Sequence, residues 1–217
     1  MERKDISRLA CLLPFVSGLI NSMGLALFSV VVTNVAGHFG TFLQRITTGD
    51  YPFGVALLGG VVVYGIGAFA ATWISETQQN RLLLLSPVWG SALAVAYLIF
   101  YDVSKLDSGA MWLLFGVMGA YNAFASNLTN GQVKPSQLTG LLIDFCIDAA
   151  KIYGKKYDED TVCQLGQKNQ IRGLIILFFS LGIVVNVSAL QLFHLPLTFL
   201  PLLFLVATTM ALRPTVR

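Results

Sequence analysis

What this 217-residue chain has least of is charge. Asp, Glu, Lys and Arg together make up 12% of it, against about a quarter in an ordinary soluble domain. None of the four occurs from Leu9 to Gln44, Tyr51 to Ser75, Leu82 to Tyr101, Gly109 to Val133 or Gly173 to Leu212. That distribution excludes a globule with a charged shell. Cysteine and histidine are scarce too. Cys11, Cys146 and Cys163 form no CxxC pair, and with His38 and His194 they offer no metal-ligand spacing. No metal or other cofactor is expected. GxSxG, HExxH and P-loop motifs are missing, and no His–carboxylate pair stands at a recognisable spacing, so the chain does not read as an enzyme. A net charge of only +3 gives nucleic-acid binding little support.

Apolar sequence is what the chain has in quantity, at 55%. A bilayer core takes about 20 consecutive apolar residues as helix, and backbone groups in lipid must bond within their own segment. The pattern therefore predicts an all-α polytopic membrane protein, with the lipid bilayer as its first partner. Six spans are expected, near 9–31, 52–74, 82–101, 109–127, 171–192 and 195–212, the last two joined by a tight turn at His194 and Pro196. The run after Met1-Glu2-Arg3-Lys4 is too long for a signal-peptide core, so it reads as a retained first span. With the N-terminus cytoplasmic, all basic residues except Arg45 and Lys105 fall on the inner side.

The chain also says one thing twice. Gly18-Leu19-Ile20-Asn21 is followed by the broken stretch Thr33-Asn34-Val35-Ala36-Gly37, and Gly119-Ala120-Tyr121-Asn122 by Gln137-Leu138-Thr139-Gly140. Asn21 and Asn122 are 101 positions apart, Gly37 and Gly140 103 apart. Two related repeats are expected, about 9–101 and 109–212, with a charged cytoplasmic connector near 153–170 in the second. Whether the segments 34–48 and 137–152 also cross is not decided by charge. At about 1.5 Å per residue they reach about 24 Å, short of a core about 30 Å thick. Length thus favours two short polar helices, re-entrant or interfacial, and three spans per repeat, which makes the repeats inverted; eight crossings would make them parallel.

Candidate site residues follow from this frame. Asn21 and Asn122 sit in apolar helices, where an amide without a partner is costly. They either bind a polar substrate or act as interhelical glue, aided by close approach at Gly18, Ser22, Gly116 and Gly119. Gly37 and Gly140 read as places for sharp backbone or close approach. Short-helix N-termini at Asn34 and Thr139 would offer N–H groups to an anion. His38, Arg45, Asp144 and Asp148 are ionisable groups expected at membrane depth. Gly140, Asp144, Asp148 and Lys151 share one helical face, with Leu138, Leu142, Phe145 and Ala149 largely opposite. Pairing of Asp144 or Asp148 with Arg45, or an aspartate that relays a proton or binds a cation, is one expectation; the solvated face of an interfacial amphipathic helix is the other. Trp73, Trp89, Tyr97 and Tyr101 read as interface anchors or packing.

The order Gly18-Leu19-Ile20-Asn21, Val35-Ala36-Gly37-His38, Gly119-Ala120-Tyr121-Asn122 and Leu138-Thr139-Gly140 resembles the YoaK-like bacterial membrane proteins, classed as domain of unknown function 1275. In that family a Thr-Gly-Asn usually follows the first element; here Ala36-Gly37-His38 stands in its place, without that hydroxyl and amide. The resemblance covers nearly the whole chain and implies a bacterial inner-membrane protein. The function expected is a small-solute transporter or permease, carrying a small molecule or ion and working as a homodimer. The alternative is a non-transporting membrane scaffold or sensor.

Overall fold

The structure, a computed structural model, describes residues 3–77, 88, 90–94, 108–154, 156–194, 196 and 198–212. All regular structure among them is helical: α1 (Arg3–Phe28), α2 (Val35–Thr47), α3 (Tyr51–Thr77), α4 (Ser108–Leu128), α5 (Leu138–Tyr153), α6 (Glu159–Phe193) and α7 (Phe199–Leu212). A further helical stretch occupies 90–94. Most of the expected span 82–101 lies outside the described residues, as do Trp89, Tyr97 and Tyr101. Among the described residues three helices, α1, α3 and α6, are long and apolar enough to cross a bilayer.

Burial orders these helices. In the most apolar stretch of α1, 61% is buried, against 22% in α3 and 28% in α6. α1 is the centre of the bundle, while α3 and α6 turn Ile66, Phe69, Trp73, Leu177 and Val184 outward. The core around α1 includes Leu13, Val16 and Ile20, with Leu114, Phe115 and Met118 of α4, and Ile175 and Leu205.

Two helix pairs dominate the packing, α1 with α6 and α3 with α4. Each is a glycine crossing. A Cβ on Gly18 would overlap the Phe179 carbonyl, and one on Gly182 would overlap the Phe15 carbonyl. In the other pair, Gly119 presses on the Tyr64 carbonyl and Gly67 on that of Gly116. Small residues let backbones approach this closely, and dispersion contacts replace a hydrophobic drive that lipid cannot supply. Contacts advance together along both pairs. Asn186, beyond Gly182, bonds Leu19 and Ser22 beyond Gly18. Along α3 and α4, Ala56 meets Trp112, Gly60 meets Phe115, and Thr72 meets Asn127. Both pairs therefore run parallel.

The ends of the helices differ from the sequence pattern in two places. The charged connector is largely helix: α6 begins at Glu159, with Asp158 capping it by accepting from the Thr161 amide. At the other end His194 takes a left-handed conformation, φ 51°, and ends α6 at the expected turn. α7 then starts only at Phe199, with Pro201 tolerated in its first turn.

Candidate functional site

The polar features collect where α1 gives way to α2 and where α4 gives way to α5. α1 ends at Phe28, and Ser29, with φ of 55°, turns the chain back. The Val30 amide then bonds the Gly24 carbonyl, and Val32 packs on Gly24. Thr33 arrives beside Asn21 and donates to its Oδ1 at 3.2 Å. Asn21 lies seven residues before the end of α1, so α2 starts about 10 Å back along it. The second break is built alike. Asn130 and Gly131 take positive φ of 49° and 76°, and the buried Thr129 hydroxyl accepts from the Val133 amide. Ser136 is buried in this stretch, and Asn122 Nδ2 donates to the Tyr64 hydroxyl at 2.9 Å.

Asn21 is 4% exposed and Asn122 half-buried, so both face protein, as an amide in an apolar helix must. They do not meet each other: Asn21 bonds Thr33, and Asn122 bonds Tyr64. Asn122 Oδ1 is buried without a hydrogen-bond partner. Asn34 caps α2 by accepting from the Gly37 amide at 3.1 Å. Gly37 is needed here, because a Cβ on it would overlap the Asn34 amide. Neither Gly37 nor Gly140 has a positive φ, and nothing lies within 4 Å of a Cβ placed on Gly140. The expectation of sharp backbone at these glycines is thus corrected: the sharp turns fall earlier, at Ser29, Asn130 and Gly131. Thr139 and Gly140 are exposed at the start of α5, whose N-cap, Gln137, makes no side-chain cap bond.

His38 is buried, with Nε2 donating to the Val31 carbonyl at 2.6 Å and its ring edge-on to Phe115. The bond to a carbonyl, which can only accept, puts a proton on Nε2.

The charged residues sort differently from the expected pairing. Arg45 does not meet Asp144 or Asp148. It donates to Asp50 at 3.0 Å, with side chains 46% and 40% exposed, and lies 5.1 Å from the Phe53 ring centre. Its position late in α2 puts that loop acid within reach. Asp148 is 7% exposed and accepts from Arg172 at 2.6 Å, with Lys151 at 3.7 Å. Arg172 also faces Asp144 at 3.6 Å and donates to Asn169 Oδ1 at 2.9 Å. Asn169 in turn donates to the Phe145 carbonyl at 3.0 Å. The Arg172 hydrogen bond, outweighing partial burial, holds the Asp148 carboxyl below the usual range.

The expected pairing with Arg45 does not form, and the solvated face holds only in part: Gly140 and Asp144 are exposed, but Asp148 is not. Leu141 and Asp148 point inward together, while Leu142, Ile143 and Ile147 are exposed. Arg172, Asn169, Asn186, Tyr64, Thr33 and Ser136 are polar members that the sequence did not single out. Asn186 carried the same signal as Asn21, an amide in an apolar run.

One cleft of about 280 Å³ lies between α3, α4 and residues 90–94, bordered by Val63, Gly67, Ala71, Ser91, Leu113 and Gly116. It is apolar, and Asn21, Asn122 and Asp144 are not among its walls.

These features define a helical protein whose long apolar helices suit a membrane, broken at two polar places. Residues 9–211 match the family model described as "Protein of unknown function (DUF1275)", and the chain belongs to that family. Searches of the curated proteins and of the solved structures find no match.

Proposed function

We propose that this chain is a multi-pass transporter of a small solute in the bacterial inner membrane, with its N-terminus cytoplasmic and its halves inverted relative to each other. The observation that carries the reading is the reciprocity of the two glycine crossings. Gly18 and Gly119 are 101 positions apart, as are Phe15 and Gly116; Gly182 and Gly67 are 115 apart, as are Phe179 and Tyr64. The first helix of each half thus packs on the third helix of the other. Ser29 and Asn130, which turn the chain at the two breaks, are 101 apart as well.

Inversion is supported by the order of contacts around α1 and α4. His38, tied to Val31 just past the end of α1, stacks on Phe115 near the start of α4. Phe15, in the first half of α1, meets Phe204 of α7, and Tyr121, further along α4, lies beside Thr208. That order fits α1 and α4 running in opposite directions. α3, parallel to α4, then opposes α1, and the 13-residue α2 between them returns to the side it came from. A polar break at matching depth in each inverted half is where transporters place solute sites. Asn122, with an unpaired Oδ1, is the first candidate to touch solute, and Asn21 is its counterpart.

A permease suits these residues better than an enzyme does. Asp148 and Arg172 are committed to each other, and His38 to a backbone carbonyl. The working unit in this reading is a homodimer. Tight packing of Leu13, Val16, Ile20, Leu114 and Met118, all fully buried, favours the second reading, a non-transporting scaffold or sensor.

The deciding experiment is flux of a panel of small metabolites and ions in proteoliposomes, comparing wild type with Asn122→Ala and Asn21→Ala. Flux that either variant abolishes while remaining folded supports transport. No flux from folded wild type across the panel favours the scaffold. Inversion is tested separately by thiol labelling of Asn34→Cys and Gln137→Cys. Cys11, Cys146 and Cys163 are free, the last two exposed, so they must first be replaced. Labelling from opposite faces of the membrane fits inversion, and labelling from one face excludes it.

A further inference from the structure

We propose that the Arg172–Asp148 pair is a latch that fixes α5 against α6, and that α2 has no counterpart holding it to α3. On the second side, α5 is tied to α6 by three side-chain links, braced by a fourth contact inside α6. Arg172 bonds Asp148 at 2.6 Å and faces Asp144 at 3.6 Å; Asn169 bonds the Phe145 carbonyl at 3.0 Å and supports Arg172 at 2.9 Å. Arg172 suits the task, since its planar fork reaches two carboxylates and an amide oxygen at once.

On the first side the matching places hold different residues. Position 57, 115 before Arg172, is the buried Leu57, and position 54, 115 before Asn169, is Gly54. A Cβ on Gly54 would come nearest to side-chain carbons of Arg45 and Ile46. Arg45, 103 before Asp148, turns away to the exposed Asp50 in the loop. The short helix α2 thus meets α3 through apolar contact and the exposed Arg45, which lies over Phe53, and can shift without breaking a buried ion pair. α5 cannot shift until Arg172 releases Asp148. The device is one-sided: one short helix is locked to its long helix by a buried ion pair, and the other has no such lock. The latch stands whether or not solute moves, so it survives a failed flux assay.

The test is hydrogen exchange on the full chain in lipid nanodiscs, followed peptide by peptide. Asp148→Asn and Arg172→Gln are expected to speed exchange over 138–153 by tenfold or more and leave 35–47 within twofold of wild type. The reversed pair, Asp148→Arg with Arg172→Asp, is expected to restore slow exchange over 138–153. Arg172→Lys keeps the charge without the fork and should fall between; it also serves if the other single variants do not fold. Unchanged exchange over 138–153 in Asp148→Asn and Arg172→Lys would overturn the latch. Equal loosening of both short helices would overturn it too, since that is general destabilisation.

Discussion

The α2–α3 unit and the α5–α6 unit each lay a short helix along a long one after a reversed chain, yet they hold it by different chemistry. In the first, Gly54 lets α2 close on α3, and the Arg45–Asp50 ion pair is exposed. In the second, Asn169 and Arg172 occupy the contact, and Asp148 is buried with them. The breaks differ in the same direction. Asn21 takes Thr33 of its own break, whereas Asn122 takes the Tyr64 hydroxyl of α3. Phe179, 115 after Tyr64, has no hydroxyl to serve the first break. A sharp backbone turn stands at each break; single side chains decide whether the polar groups beside it are bridged, paired or left open.

What the two units share is that the long helix of each enters a glycine crossing, α3 with α4 and α6 with α1, and breaking it has the largest expected effect. Gly18→Leu, Gly182→Leu, Gly67→Leu and Gly119→Leu each push a side chain into a facing backbone, which cannot give as a flexible side chain can. Overpacking costs 1–3 kcal/mol and sometimes more, so each should lose about 3 kcal/mol or fail to fold. Denaturant unfolding in detergent micelles measures it. A loss confined to the Gly18–Gly182 crossing would end the likeness between the units.

The next effect separates them. Asp148→Asn leaves Arg172 partly buried with its strongest partner gone, for a loss of about 2–3 kcal/mol, with Asp144 still near. Arg45→Gln, at the matching place, should cost less than about 0.5 kcal/mol because its pair is exposed. The same asymmetry has a pH signature. Asp148's carboxyl is depressed in the folded state, so its contribution is full above the unfolded value of about 3.9 and is lost as pH falls through the lower folded one. Unfolding midpoints followed from pH 7 to pH 2 should fall at the acid end in wild type by more than in Asp148→Asn.

Within the breaks, Tyr64→Phe should cost about 1–2 kcal/mol, because Asn122 then loses its one hydrogen bond while staying half-buried. Thr33→Val should cost about 1 kcal/mol in the other break, by removing one neutral bond at 3.2 Å. Thermal melting of the two variants in nanodiscs compares them. Equal losses would mean that the Tyr64 bridge adds nothing beyond a direct bond.

Much of this was legible in the chain and some of it was not, for physical reasons. The short helices were expected over 34–48 and 137–152 and run Val35–Thr47 and Leu138–Tyr153, since polar breaks and missing charge mark helix ends locally. The small residues Gly18 and Gly119 were legible as close approaches because only a missing side chain permits them. The inward face of α5 was not legible. Spacing places Asp144 and Asp148 near one another, but neighbouring residues differ by about 100° around a helix, and only the packing of α6 decides which side faces in. Arg172 was counted as one more basic residue because its partners come from another helix, 24 and 28 positions away.

The smallest difference lies at the N-termini of the short helices. Asn34 accepts from the Gly37 amide, filling one of the donors that a helix start leaves unpaired. Gln137 makes no such bond, since its longer side chain is poorly suited to the cap position. Asn34→Ala should therefore cost about 1 kcal/mol, while Gln137→Ala should change stability by less than about 0.3 kcal/mol. Gln137→Asn should gain about 0.5 kcal/mol if α5 starts as α2 does. The gain is the informative arm. A cap that fits at 137 would mean that the two helices begin with one geometry and differ only in the residue placed there. No gain, with Asn34→Ala still costly, would mean that the backbone turn before α5 is itself different, and the likeness of the units would stop short of their first residues.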